Sequence, residues 1–594
     1  MRRLCGWFIL PLLLPSLVAQ TSPGVPQTVI AIRHVTVIDA TGAPARPDMT
    51  VIIVGDRITQ IAKSSGAAIP KGAQVVNATG KFLIPGLWDM HVHPTGKDYL
   101  ALFIANGVTG IRIMWGSPNH YEWRKQIEAG QLLGPHMWIA SPIIDGPKPY
   151  WPGSVSVSSE QQARQAVDIA KQYGADFVKV YQGLPREEYF AIADESRKQR
   201  ISFVGHVPIS VSAQEASRAG QKSFEHLISI LPACSTREAE LLQAQQADLA
   251  DDLDSGKPKF WGQHVREIRE MMLDTYSPQK AAELSALLKG NGTWQVPTFT
   301  LLHMFAYGDD PAFLKDVRLK YLPFSVKGDW TPAAIDGKRT PEDFAYSKRE
   351  FQKDLEVVGA MQKAGVGILA GTDTANPYCF PGFGLHDELG YLVQAGLTPM
   401  QALQAATLNP VRFLGREKDL GTVETGKIAD LVLLDANPLD NIGNTRKIAA
   451  VVYGGRVFDR SALDGMLAKV VDLAGRKPIG EIMFKTIQEK GADAAVAQYH
   501  EFKTTQPGVY DFSENQLITL GYQLIHLKKY PDAIAIFKLS VEVYPQSYNT
   551  YDSLAEAYMD NGDQQLAIEY YQKSLQINPG NSNAVRMLKK LNAQ

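Results

Sequence analysis

The chain is 594 residues long, with 45% hydrophobic and 21% charged residues. That length exceeds what one core organises and predicts two to four domains. With 60 Lys plus Arg against 62 Asp plus Glu, no basic surface argues for nucleic acid or anionic lipid as a partner.

Residues 1–20 stand apart. Arg2 and Arg3 precede an apolar stretch from Trp7 to Val18, and Ala19 offers a small residue for cleavage. That is the layout of a secretory signal peptide, which predicts a secreted or periplasmic protein. The stretch is short for a membrane span and is interrupted by Pro11 and Pro15, so no span is expected in the mature chain, with an uncleaved anchor as the alternative. Cys5 lies in the signal, leaving Cys234 and Cys379, read as two free thiols rather than a disulfide.

From Val29 to Val76, alternating runs such as Val51-Ile52-Ile53-Val54 are punctuated by Gly42, Pro44, Gly55-Asp56 and Pro70, the pattern of a small β domain. A matching group returns at Leu431–Leu434, Ile448–Tyr453 and Arg456–Phe458. The two groups, 27–82 and 416–470, are expected to close into one composite β-sandwich. Between them, 83–415 alternates apolar strands with amphipathic helical stretches. Eight strands are predicted, ending near His93, Met114, Ala140, Tyr181, His206, His226, Pro297 and Asp373, which suits a parallel (β/α)8 TIM barrel. The stretch from Ala233 to Lys289 exceeds one crossover helix and predicts an insertion above the barrel.

Beyond about Lys477 only helical patterns remain. Leu517–Pro545 repeats as Tyr551–Pro579 at an offset of 34 residues, matching Ala533 to Ala567, Phe537 to Tyr571 and Pro545 to Pro579. That period identifies 478–594 as an all-α tetratricopeptide repeat module, with Gly491–Pro507 as the back half of a degenerate third copy.

The chemistry begins at Asp89-Met90-His91-Val92-His93-Pro94, delivered by the apolar run Phe82–Trp88. On a strand, the period of two points both imidazoles to one side. Two imidazoles on one face at a strand end are half of a metal site. Lys179, His206, His226 and Asp373 close, or nearly close, other apolar runs. Each has a plainer reading alone: Lys179 as a snorkelling lysine, Asp373 as a helix cap.

The stretches Ile84–His93, Gly174–Tyr181, Val204–Pro208, Ser223–Leu227, Gly371–Thr374, Ala406–Val411 and Gly421–Leu431 together resemble the amidohydrolase superfamily, in its imidazolonepropionase-like and prolidase-like branch. The resemblance spans about Val29 to Arg460. It implies that His91, His93 and Asp373 bind one metal ion and His206 and His226 a second, with Lys179 bridging as a carbamate formed with carbon dioxide. An ammonium beside two divalent cations is untenable, whereas a carbamate is an anionic two-oxygen ligand. Zinc is the default ion for such an N/O site, with manganese or cobalt as alternatives. A metal-bridging hydroxide would attack the scissile carbonyl, with Asp373 and Lys179 as the catalytic groups. The deaminase branch carries a Glu shortly after its strand-five histidine. Here His206 is followed by Val207-Pro208-Ile209-Ser210, which argues for hydrolysis instead.

Tyr181 and His386 are candidate substrate contacts, each with a packing alternative. Arg112 is either a carboxylate holder or the partner of a local acid, while Trp115, Tyr150 and Trp151 shape the pocket without assigned roles. The expectation is a metal-dependent hydrolase of a small-molecule amide, a dipeptide or N-acyl amino acid. The alternatives are a lactonase or cyclic-amide hydrolase and, from another class, a non-catalytic tetratricopeptide scaffold. The repeats predict a protein partner or self-association.

Overall fold

The computed structural model describes residues 28–151, 153–255, 262–327, 330–331, 339–578 and 581–591. The expected signal peptide lies outside them. Strands β1 (Val29–Val37), β2 (Arg46–Val54), β3 (Arg57–Lys63), β4 (Gln74–Asn77) and β5 (Phe82–Pro85) form the N-terminal sheet. In β1, Ile30, Ile32, Val35 and Val37 all reach the same core. A strict period of two would not allow this, and the register slips between Ile32 and Val35. There His34 takes φ +59°, as in a β-bulge.

The barrel strands follow: β6 (Leu87–Val92), β7 (Val108–Ile113), β8 (His136–Asp145) with the short edge strand β9 (Val155–Ser156), β10 (Phe177–Val180), β11 (Ser202–Gly205), β12 (Ser223–Glu225) and β13 (Trp294–Val296). They pair in parallel in the order β13-β12-β11-β10-β8-β7-β6. Residues 367–374 fill the gap. Leu369 N donates to Gln295 O at 2.9 Å on one side, while Met90 N donates to Ala370 O and Asp373 N to His91 O on the other. The eighth predicted strand is thus an extended segment with isolated bridges to Gln295 and Val92, and Asp373 at φ +58° ends its regularity.

Strands β14 (Leu431–Leu434), β15 (Ile448–Tyr453) and β16 (Arg456–Asp459) return to the first sheet. The order is β16-β15-β14-β5-β1-β2-β3, so β5 is the seam between the two flanks. The two flanks are thus hydrogen-bonded into one continuous, rolled sheet. Its far edge meets the segment before β14, where Ile58 N donates to Lys427 O and Gly426 N to Ile58 O. Ile32, Val51, Ile53, Leu431 and Val452 fill the roll, while Ile84, Val432 and Val451 face the barrel core. Residues 460–470, expected within the sheet domain, lie in helix Arg460–Gly475, whose Val470 packs on Leu102 and Tyr321.

The predicted insertion contains helices Glu238–Ser255, Gln263–Asp274 and Pro278–Asn291. Cys234 and Cys379 are both free and buried. In the repeat module, helices pair as Ile479–Lys490 with Ala492–Thr505, Glu514–His526 with Tyr530–Val543 and Tyr548–Asp560 with Gln564–Ile577. Ala533, Ala567, Phe537 and Tyr571 are fully buried. Gly521 is required by this packing, since a Cβ there would lie 2.3 Å from the Phe537 ring. No helix of the described residues is long and apolar enough to cross a membrane.

Candidate active site

The barrel delivers six sequence-predicted residues to the C-terminal ends of its strands, the end where barrel enzymes carry their chemistry. His91 is in β6 and His93 follows it, on the same side as the alternation predicts. His91 Nε2 lies 3.3 Å and His93 Nε2 3.0 Å from Asp373 Oδ1. His206 and His226 immediately follow β11 and β12. The His226 ring centroid is 4.5 Å from that of His91 and 4.9 Å from that of His206. Lys179, in β10, is buried, and Gly205 makes room for it. A Cβ at Gly205 would lie 3.0 Å from Lys179 Cδ and 2.3 Å from Val180 O.

Tyr181 joins the cluster, its ring stacked on His206 at 4.1 Å between centroids. Its hydroxyl oxygen accepts the Trp151 Nε1–H at 2.7 Å. His386 does not join. It is fully buried with both ring nitrogens engaged, Nδ1 with Thr445 Oγ1 at 2.9 Å and Nε2 with Asn106 O at 3.1 Å. His386 lies on helix Phe383–Gln394 with its ring held between Thr445 and Asn106, so it does not meet the cluster as the expected substrate contact would. Arg112 takes the second of its two readings, since its guanidinium meets Glu225.

Burial dominates the protonation of this cluster. It lowers His91 and His206 well below the usual histidine range and His226 to about 4, with the nearby Lys179 acting the same way on all three. These rings are therefore neutral and retain lone pairs. Burial also brings the Lys179 amine down to about 8, against the opposing pull of Glu225 and Asp373. For Asp373, burial pushes up, but His226, His93 and Lys179 together hold the carboxyl below its ordinary value. Asp89 is raised by burial to about 7. It accepts from Thr372 N at 3.0 Å and Thr372 Oγ1 at 2.7 Å, tying β6 to the closing segment.

Several residues were not found in the sequence. Glu225 accepts from His91 Nδ1 at 2.9 Å. Its signal in the sequence is a charged residue that ends a short buried strand, directly before His226. Thr298 Oγ1 accepts from His226 Nδ1 at 2.7 Å while donating to Pro297 O. Asp145, at the end of β8, accepts from Gly146 N, Gly183 N and Tyr150 N, each at 2.9 Å. It thereby joins the loops after β8 and β10 and brings Trp151 to Tyr181.

The donor set fits divalent metal. The ligand atoms of His91, His93 and Asp373 all lie within 4.8 Å of one another. Among the described residues, His91 Nε2, His93 Nδ1, His206 Nδ1 and Asp373 Oδ1 are buried without a hydrogen-bond partner. Buried polar atoms are normally partnered, and neutral imidazole nitrogens with a carboxylate oxygen are what borderline divalent ions bind.

Ochratoxinase of Aspergillus niger is 22% identical over 489 residues, covering 71% of this chain and 85% of its own. Among solved structures, a bottromycin amidohydrolase superposes with a TM-score of 0.60 at 22% identity, covering 76% of this chain and 92% of its own. A Xaa-Pro dipeptidase superposes with a TM-score of 0.52 at 19% identity, covering 73% and 100%. The tetratricopeptide repeat profile matches residues 548–581, within the helical module. The amidohydrolase family profile matches residues 82–458, and the chain belongs to the amidohydrolase family.

Proposed function

We propose that this amidohydrolase cleaves an amide bond in a small molecule, a dipeptide or N-acyl amino acid, at a centre of two divalent ions. His91, His93 and Asp373 would hold one ion and His206 and His226 the other, with Lys179 as a carbamate between them. The observation that carries this reading is the convergence of all six side chains, with His91 Nε2, His206 Nδ1 and Asp373 Oδ1 buried and without a hydrogen-bond partner among the described residues.

Bound divalent ions supply the Lewis acidity that ionises water near neutral pH and polarises the scissile carbonyl. The chain's own residues do the rest. Asp373 faces His91 and His93 through Oδ1, and its carboxylate is available to take the proton of the attacking water. Passing that proton to the departing nitrogen makes the amine a competent leaving group. Tyr181 accepts from Trp151 and so keeps its own O–H for a substrate carbonyl or carboxylate. A binding protein that used the barrel only as a scaffold has no need of this donor set.

The test is metal analysis with a hydrolysis panel of Xaa-Pro and Xaa-Arg dipeptides, N-acyl amino acids and lactones, after loading with zinc or manganese plus bicarbonate. Two ions per chain and metal-dependent amide cleavage are expected; preferential lactone cleavage would move the substrate class. The leader-like residues 1–20 support a secreted or periplasmic location, which N-terminal sequencing of the exported protein checks.

A further inference from the structure

Beneath the site lies a buried ion pair that the proposed ligand set does not use. Arg112 on β7 and Glu225 on β12 both have fully buried side chains. Arg112 Nη2 donates to both Glu225 oxygens, at 3.0 and 2.9 Å, Nη1 donates to Ser223 Oγ at 3.0 Å, and Nε donates to Met90 O at 2.6 Å. Ser223 Oγ donates to Glu225 Oε1 at 2.6 Å. The guanidinium is further flanked by the Phe177 and Phe413 rings, 5.7 and 5.1 Å from their centroids. One face of this network leads to the site, where Glu225 Oε2 meets His91 Nδ1.

A buried ion pair is poor evidence for stability, because desolvation opposes the attraction. It is better evidence for position. A carboxylate held by arginine can only accept, so His91 must carry its proton on Nδ1 and bare Nε2. His91 Nε2 is the atom that faces Asp373 without a hydrogen-bond partner among the described residues. Arg112 also grips the carbonyl of Met90, the residue before His91.

We propose that Arg112 and Glu225 are a positioning pair, fixing the tautomer and orientation of His91 so that Nε2 is presented to the first metal ion. The inference deepens the metal reading and rests on it. A carboxylate behind a metal-binding histidine raises ligand basicity, and its loss typically weakens metal binding by about tenfold or more.

Replacing both partners separates positioning from stability. In the double variant Arg112→Met/Glu225→Met the charges leave together, so the fold is expected to unfold near the wild-type temperature. The affinity of the first ion, read by competition with a chelator, is expected to fall at least tenfold. Nitrogen-15 NMR of the metal-free protein is expected to show the His91 proton shared between Nδ1 and Nε2, instead of held on Nδ1. Arg112→Met/Glu225→Gln restores an acceptor without restoring charge, because the amide can donate to Ser223 and turn its oxygen to His91. It is expected to recover much of the lost affinity. Wild-type affinity and tautomer in Arg112→Met/Glu225→Met would overturn the proposal and leave a structural rivet. Equal loss in both double variants would overturn it too. A wild-type protein that binds no divalent ion would instead bring down the metal reading beneath it.

Discussion

The two halves of the candidate centre are braced differently. On the β6 side, His91 is backed by a carboxylate that an arginine holds in place. On the β12 side, His226 is backed by the neutral hydroxyl of Thr298. His206 has an aromatic ring against it and an Nδ1 with no hydrogen-bond partner among the described residues. Both His91 and His226 thus present Nε2, but only His91 has full negative charge behind it. A charge-assisted bond is roughly twice as strong as a neutral one. The β6 half is therefore expected to hold its ion more tightly and release it last during chelation.

The largest expected effect comes from the carboxylate of the first half. Asp373→Asn removes the proton acceptor and weakens the ligand set, and kcat/KM for an amide substrate should fall about 100- to 10,000-fold. Lys179→Met should leave metal content below two ions per chain and abolish any stimulation by bicarbonate; stimulation that persists would show that carbon dioxide acts elsewhere. Thr298→Val sharpens the comparison directly. It should weaken the second ion by about tenfold while sparing the first, as followed by chelator titration.

Acidification gives a smaller effect, away from the metal ligands. Burial holds His386 to about 4, below the free value near 6.5. The unfolded chain therefore binds more protons between those values, so stability is lost as pH falls from 6.5 to 4. The loss from this one group is roughly 3 kcal/mol, and His386→Gln should flatten the decline in metal-free protein measured by urea unfolding. Least of all for catalysis, Phe537→Ala should cost the repeat module about 3–5 kcal/mol while kcat/KM remains within a few-fold of wild type.

The candidate cluster was legible because its residues interrupt apolar runs. A histidine or lysine closing a buried strand has few solvated alternatives, and the period of two assigns it to a face. Glu225 breaks the same rule but sits beside His226, and sequence does not reveal that Arg112, on a strand far away in the chain, points to the same spot. His386 failed for the reverse reason. Its position just after the Asp373 segment is near the site in sequence, but helix geometry sends its ring to Thr445 and Asn106. The sheet domain was found from alternation, whereas its closure into one roll depends on β5 pairing with both β1 and β14. Long-range pairing of this kind leaves no local pattern.

The repeat module was the easiest region to read, since its 34-residue period restates the same packing. Ala533 and Ala567 must be small, and Phe537 and Tyr571 must fill the same space, in successive copies. The site residues have no such internal copy, and their relation emerges only when the barrel closes.

On the proposed reading, the six converging side chains hold two ions that drive amide hydrolysis. The most direct measurement is metal stoichiometry and amide cleavage on one preparation of the full chain, loaded with zinc or manganese in the presence of bicarbonate. Two ions per chain, with cleavage lost on chelation and regained on reloading, is the predicted result. A protein that binds no ion and cleaves no amide after that loading would overturn the two-ion hydrolase.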